Sequence, residues 1–575
     1  VGSEMCIRDR KYIFAAATLS CLGTACNESS WLRETPYDFY TPENSYNTTS
    51  QFQQALNYMY DQVRGMHWKL GDQHMALICS DLASGGTDTN PVAKFNDYKT
   101  FITPYTYVAS SFWDIAYAVI ANANTIINRI DLENETDEAD KKVIKGQALF
   151  FRAYFYNFLA NLYGGVPLVL EEATEPRKDY VRATRGDTYD RARQDLEDAI
   201  KLLNDITKAK EGEVNIQAAQ HLLAEVYISL GNYPKAIEAA TAVITHQSMG
   251  LMKTRFGSRK EETGDPYWDL FQLNNQNRSS GNTETIWALQ YEYKNSGSPY
   301  SNEMPRWLLP YYEGLNVPGK EGKNVKAFTL NTMEKGGRGI GTIRPTDHFL
   351  KEIWETGDIR NSELMIIRDS RVDNPEAKDF GKWVMADGLY DGFNKEQQTR
   401  QFYPFIMKFS QVGTLEEDNY QKNGDGTYKT TALGEHGIVY AWGSLSANTS
   451  MKDEYMYRLA GTYLLRAEAY FWNNEPKKAM EDLNELRSRA QTRQITDPGE
   501  VTLDFILDEQ MRELYFEDFR VPTLCRLGKM VERSRKYNPF GMNVGDHQNL
   551  FPIPYSEIEK NIFGKIDQNP QYEGF

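Results

Sequence analysis

A pattern that occurs twice sets the tightest limit on how this chain can fold. Ala224-x-x-Tyr227-x-x-x-Gly231-x-Tyr233-x-x-Ala236 returns as Ala467-x-x-Tyr470-x-x-x-Asn474-x-Pro476-x-x-Ala479. Small residues at fixed helical positions let two antiparallel helices approach closely, and the tyrosine fills the gap between turns. Asn474 can stand for Gly231 because both tolerate the left-handed conformation that ends a helix. This is tetratricopeptide spacing, so the fold expected is mainly α, with helix pairs stacked into a right-handed superhelical scaffold.

The rest of the chain divides around that scaffold. Ser50 caps a pattern in which Phe52, Leu56, Met59 and Val63 recur at helical spacing. Further helical patterns cover 105–130, 137–162, 187–203 and 218–246, and the one at 137–162 stops at Gly164-Gly165-Val166-Pro167. Residues 251–450 instead carry many Gly, Asn and Pro, with short strand-like runs such as 284–290. Helical periodicity returns at 452–490 and 503–519, and 538–575 reads as packed coil.

The first residues carry processing signals. Residues 1–10 resemble the translated read-through of a transposase adapter used in sequencing-library preparation. Residues 11–25, a basic Lys11 followed by a short apolar run, form a truncated export signal, and the run is too short to span a bilayer. Cys26 directly after Ala25 makes a lipoprotein signal, with Cys21 as the weaker site, because Gly23 stands where the usual motif has leucine. Residues 26–47 form a polar tether. The formal charge of −16 argues against nucleic-acid binding. Cys79 and Cys525, the cysteines of the body, can form at most one bridge and no zinc site.

Five collinear segments resemble the SusD/RagB family of nutrient-uptake outer-membrane lipoproteins: 145–156 running to Tyr163-Gly164-Gly165-Val166-Pro167-Leu168, the helix pair at 222–244, Tyr463–Ala469, Asp508–Glu517, and Phe551-Pro552-Ile553-Pro554 through Gln568-Asn569-Pro570 to Tyr572. The segment Asp518-Phe519-Arg520-Val521-Pro522 departs from the family's Gly-x-Arg. The resemblance divides the body into an N-terminal helical region (48–250) and a C-terminal region (251–575). It implies a surface-exposed, lipid-anchored protein that captures an oligosaccharide, or in some members a peptide. The ligand is then passed to a SusC-like, TonB-dependent β-barrel transporter. No catalysis and no cofactor are expected, and a structural calcium ion is left open.

If irregular segments hold the ligand, their aromatic and hydrogen-bonding residues are the candidates. Aromatic faces stack on sugar C–H groups while amide and charged side chains read hydroxyls. The richest cluster holds Tyr291, Tyr293, Asn295, Tyr300, Arg306, Trp307 and Tyr311. A second is the first long loop with Trp68, Asp81 and Tyr98, where turn-forming aspartates are the plainer reading. The seven histidines form no His-Glu-x-x-His pair, and neither a Gly-x-Ser-x-Gly elbow nor a phosphate loop is present. Glu468 and Glu513 read as structural partners of arginines. Two other readings stay open: a helical glycoside hydrolase, and a tetratricopeptide adaptor that binds only proteins.

Overall fold

A computed structural model describes residue 46 and residues 48–572, apart from 69–73, 87–90, 133–136, 174, 293–301, 394–399, 411–418, 434–437 and 441–448. Cys26, Tyr293, Asn295 and Tyr300 lie outside the described residues. Eight helices carry the scaffold: α1 (Thr49–Trp68), α2 (Tyr107–Arg129), α3 (Glu138–Tyr163), α4 (Arg185–Leu202), α5 (Ile216–Ser229), α6 (Tyr233–Ile244), α7 (Leu459–Trp472) and α8 (Pro476–Arg489). From α2 to α8, each helix packs on the next. Their starts are set by the residues that precede them. Asp137 accepts from Ala139 N, Asn215 accepts from Ala218 N, and Thr184 with Asp187 forms a reciprocal capping box. The spacing-predicted positions Phe52, Leu56, Met59 and Val63 are all fully buried.

The two copies of the repeat are neighbours in space. α6 packs directly on α7, although 245–458 separates them in sequence, so that segment is inserted between consecutive helix pairs. α9 (Leu503–Leu514) packs on α7, and α10 (Arg520–Arg526) packs on α3.

The inserted segment is built from short elements. Its strands β2 (Thr285–Leu289) and β8 (Glu454–Arg458), β3 (Asn316–Pro318) and β4 (Asn324–Lys326), and β6 (Ile366–Ile367) and β7 (Phe405–Ile406) pair with each other, while β5 (Ile343–Pro345) pairs with β1 (Ala83–Gly85) from the N-terminal region, all antiparallel. The helical pattern read from 452 onward is corrected here. Glu454-Tyr455-Met456-Tyr457-Arg458 is a strand, because its tyrosines and its partner Thr285–Leu289 favour a buried ladder, and the helix begins only at Leu459. Part of this segment has its own apolar core, in which Leu309, Tyr312, Phe328, Val372, Phe402 and Phe405 are at most 2% exposed.

An ionic lattice ties this lobe to the helices. Fully buried Arg458 on β8 bonds Glu284 (2.8 Å), Glu513 (2.5 Å) and Glu517 (2.7 Å). Arg489 pairs with Glu284 and Glu513, and Arg360 with Asp358, Glu509 and Glu513. Glu513 is therefore structural as expected, although its partners are not Arg512. Glu468 likewise binds Arg526 at 2.6 Å, while Arg466 pairs with Asp482. Cys79 and Cys525 are both buried free thiols, and burial pushes the Cys525 thiol up to about 12. Among the described residues, no helix is long and apolar enough to cross a membrane.

Candidate functional site

Near the C-terminal end of α1, several of the predicted residues come together. The Trp68 carbonyl accepts from Glu303 N (3.1 Å), just ahead of a short helix, Met304–Leu308, that carries Arg306 and Trp307. The Arg306 carbonyl accepts from Ile340 N (2.8 Å), and Tyr311 N donates to the Arg400 carbonyl (2.7 Å). Backbone passes closely here: a Cβ on Gly86 would sit 2.0 Å from the Gly341 carbonyl oxygen, so only glycine lets these turns meet. Arg306, Trp307 and Tyr311 are half-buried, and the Arg400 guanidinium lies 4.7 Å above the Tyr311 ring.

The remaining candidates are interior. Trp68 is 1% exposed and packs its ring 5.6 Å from Phe409. Asp81 is fully buried between Arg520 (2.8 Å) and Arg533 (2.6 Å), which hold its carboxyl well below the usual range despite burial. Those two ion pairs commit the group, so Asp81 joins the ends of the chain and presents no surface. Tyr98 is buried with its hydroxyl donating to the Cys79 carbonyl. Tyr291 is buried, its backbone N donating to Asp453 (2.6 Å) while the Arg64 guanidinium sits 5.5 Å from its ring. Trp68 Nε1, the Tyr291 hydroxyl and Arg306 Nε each lack a hydrogen-bond partner among the described residues. An unmade buried bond costs ~1–3 kcal/mol, so this region supports Trp307 and Tyr311 at a measurable cost in stability.

A second exposed aromatic group, which the sequence reading did not single out, lies on the lobe's own core. A cavity of about 350 Å³ is lined by Glu334, Asp369, Arg371, Trp383, Phe405 and Thr431, among others. Trp383 is 44% exposed, and the Arg371 guanidinium lies 5.5 Å from its ring. The turn is held rigidly. Asp369 accepts from Met385 N and Ala386 N (3.1 and 2.9 Å), and Asp387 accepts from Trp383 N (2.7 Å). Burial, opposed by Lys335, pushes the Glu334 carboxyl up to about 7. The signal was available: Gly381-Lys382-Trp383 and Gly388 lie on a non-periodic segment, as the chosen cluster does.

Such a surface can stack a ring and accept or donate hydrogen bonds around it. Among the described residues, no group of three or more His, Cys, Asp or Glu is placed to hold a metal ion. The profile of a family described as "SusD-like_3: Starch-binding associating with outer membrane" matches residues 31–228, and that of the "SusD family" matches 283–572. SusD-like protein P25 of Formosa agariphila is 22% identical over 96% of both chains. SusD-like protein P2 of the same organism is 28% identical over 51% of this chain, and the match spans only 55% of that relative. A solved structure, "Laminarin binding SusD-like protein", superposes with a TM-score of 0.63 at 22% identity, covering 92% of this chain and all of that one, which shows the shared fold. The chain belongs to the SusD/RagB family.

Proposed function

We propose that this protein captures an oligosaccharide on its loop-built lobe and passes it to a SusC-like, TonB-dependent β-barrel transporter without altering it. It is held at the outer-membrane surface by acylation at Cys26. The observation that carries the capture is a repeated device on that lobe: a planar ring with a guanidinium on one face, in Trp383 with Arg371 and in Tyr311 with Arg400. The guanidinium supplies donors fixed beside the ring, and at Trp383 the ring leaves apolar surface open for the C–H face of a sugar. The laminarin-binding relative supports a glycan over a peptide.

The test is affinity electrophoresis and calorimetry against a panel of glucans, mannans, xylans and fructans that includes laminarin. Wild type binds at least one member and releases no sugar from it. Trp383→Ala weakens binding by about tenfold, the scale of losing a stacked aromatic and its buried area. Trp307→Ala tests the half-buried ring on the Met304–Leu308 helix. Release of free sugar would establish hydrolysis instead, and binding unchanged in a Trp307→Ala/Trp383→Ala double variant would move the site elsewhere.

A further inference from the structure

A larger cleft shares no lining residue with the one that holds Trp383. It is about 600 Å³ and runs along α1. Its floor and walls include Gln53, Gln54, Asn57, Tyr58 and Arg64 from α1, with Gln290 at the end of β2. A turn carrying Glu211 and Glu213 closes it. We propose that this cleft is a second saccharide site, one that selects neutral sugars and excludes sulfated or uronate-bearing ones. The proposal extends the capture reading above to a separate surface and chemistry.

Three side-chain amides, Gln53, Gln54 and Asn57, face the cleft from α1, each carrying both a donor and an acceptor, which is what a ring of sugar hydroxyls requires. The Gln53–Asn57 bond (3.1 Å) is solvent-exposed and can be exchanged for a ligand hydroxyl. Tyr58 is 39% exposed and sits beside these amides, giving a flat face for stacking. The Arg64 Nε is buried with no hydrogen-bond partner among the described residues, and the Arg64 ion pair with Asp61 is a long 3.7 Å contact.

The back of the cleft is fixed. Gln290 exchanges two hydrogen bonds with Asn277 (3.1 and 2.9 Å), which is itself anchored on Asp453 (2.7 Å). The Tyr60 hydroxyl bridges Gln147 and Val214 N. A prearranged polar wall costs little to order on binding. Selectivity follows from charge, since Asp61, Glu211 and Glu213 outnumber Arg64, so an anionic sugar meets net repulsion.

Calorimetry separates this site from the first. Neutral gluco-, manno- and xylo-hexaoses and a sulfated galactan hexaose are titrated into wild type, Asn57→Ala/Tyr58→Ala and Trp307→Ala/Trp383→Ala. Asn57 and Tyr58 are exposed, so the first double variant keeps its fold, which circular dichroism verifies. The expected result is about three- to tenfold weaker binding of a neutral hexaose in the cleft variant, with no sulfated binding that the cleft residues affect. Cleft-variant affinities equal to wild type for every neutral sugar that binds would overturn the cleft while leaving the capture site standing. Loss confined to the cleft variant, with Trp307→Ala/Trp383→Ala unchanged, would overturn the capture site and leave the cleft. A sulfated hexaose that needs Tyr58, or no neutral hexaose binding at all, would also overturn the cleft.

Discussion

Arg458 divides one guanidinium among Glu284, Glu513 and Glu517; Arg489 shares the first two, Arg360 shares Glu513, and Lys408 shares Glu517. Arg512, Arg360 and Arg487 hold Glu509, and Arg489, Arg458 and Arg360 hold Glu513, well below the usual carboxylate range, overcoming the opposing effect of burial. A group with a depressed folded pKa stabilises fully above its unfolded value of about 4.3, and that contribution is lost as pH falls from there through the folded value. Asp518 and Glu454 behave oppositely, because burial pushes each up to about 7. Their contribution is present below about 4 and is lost as pH rises through 7, when each must ionise in the interior. Stability should therefore peak in mildly acidic buffer. Asp518→Asn should raise the melting temperature by a few degrees at pH 8 and leave it unchanged at pH 4; equal shifts at both pH values would show that Asp518 carries no proton-linked cost. None of this was legible in the sequence. Glu513 could be assigned a structural role from its helical setting, but its partners come from β8, α8 and residue 360, which only the fold brings together.

The repeat makes a sharper claim at the level of elements. Gly231 and Asn474 occupy the same turn of successive helix pairs with φ of 73° and 59°. Gly231→Ala should cost ~1 kcal/mol in urea denaturation, since the added methyl meets no neighbour and only the backbone conformation opposes it. Asn474→Gly should be neutral or slightly stabilising. A loss from Asn474→Gly comparable to that from Gly231→Ala would mean the two turns are not equivalent. The helices were readable because their apolar spacing and caps are local, as the buried stripe of Phe52, Leu56, Met59 and Val63 shows. β8 was misread because Tyr455 and Tyr457 continue an apolar pattern into α7, and the ladder partner that decides the matter lies at Thr285–Leu289.

At the scale of the whole molecule, the lobe has an apolar core apart from the large helical one, and an ionic lattice ties the inserted segment to the helices. The lobe's core is small, and its strands β3, β4, β6 and β7 are two or three residues long. Native-state hydrogen exchange should show these amides opening at lower free energy than those of α5 to α7, as a separate cooperative unit. Uniform protection across both would show a single unit. The candidate site follows the same division. The sequence pointed to the lobe, and Arg306, Trp307 and Tyr311 do meet there, but burial of Trp68, Asp81 and Tyr98 depended on contacts with residues hundreds of positions away. The insertion between α6 and α7 also imposes a timetable on synthesis. At ~5–20 residues per second, α6 waits on the order of ten seconds or longer for α7 to emerge. Throughout that interval, the small apolar side of α6 formed by Ala236, Ala239, Ala240 and Val243 has no helix α7 to cover it. A folding intermediate in which α6 has formed and α7 has not should gain from a holdase, and that dependence should rise with the length of the inserted lobe rather than with the number of helices.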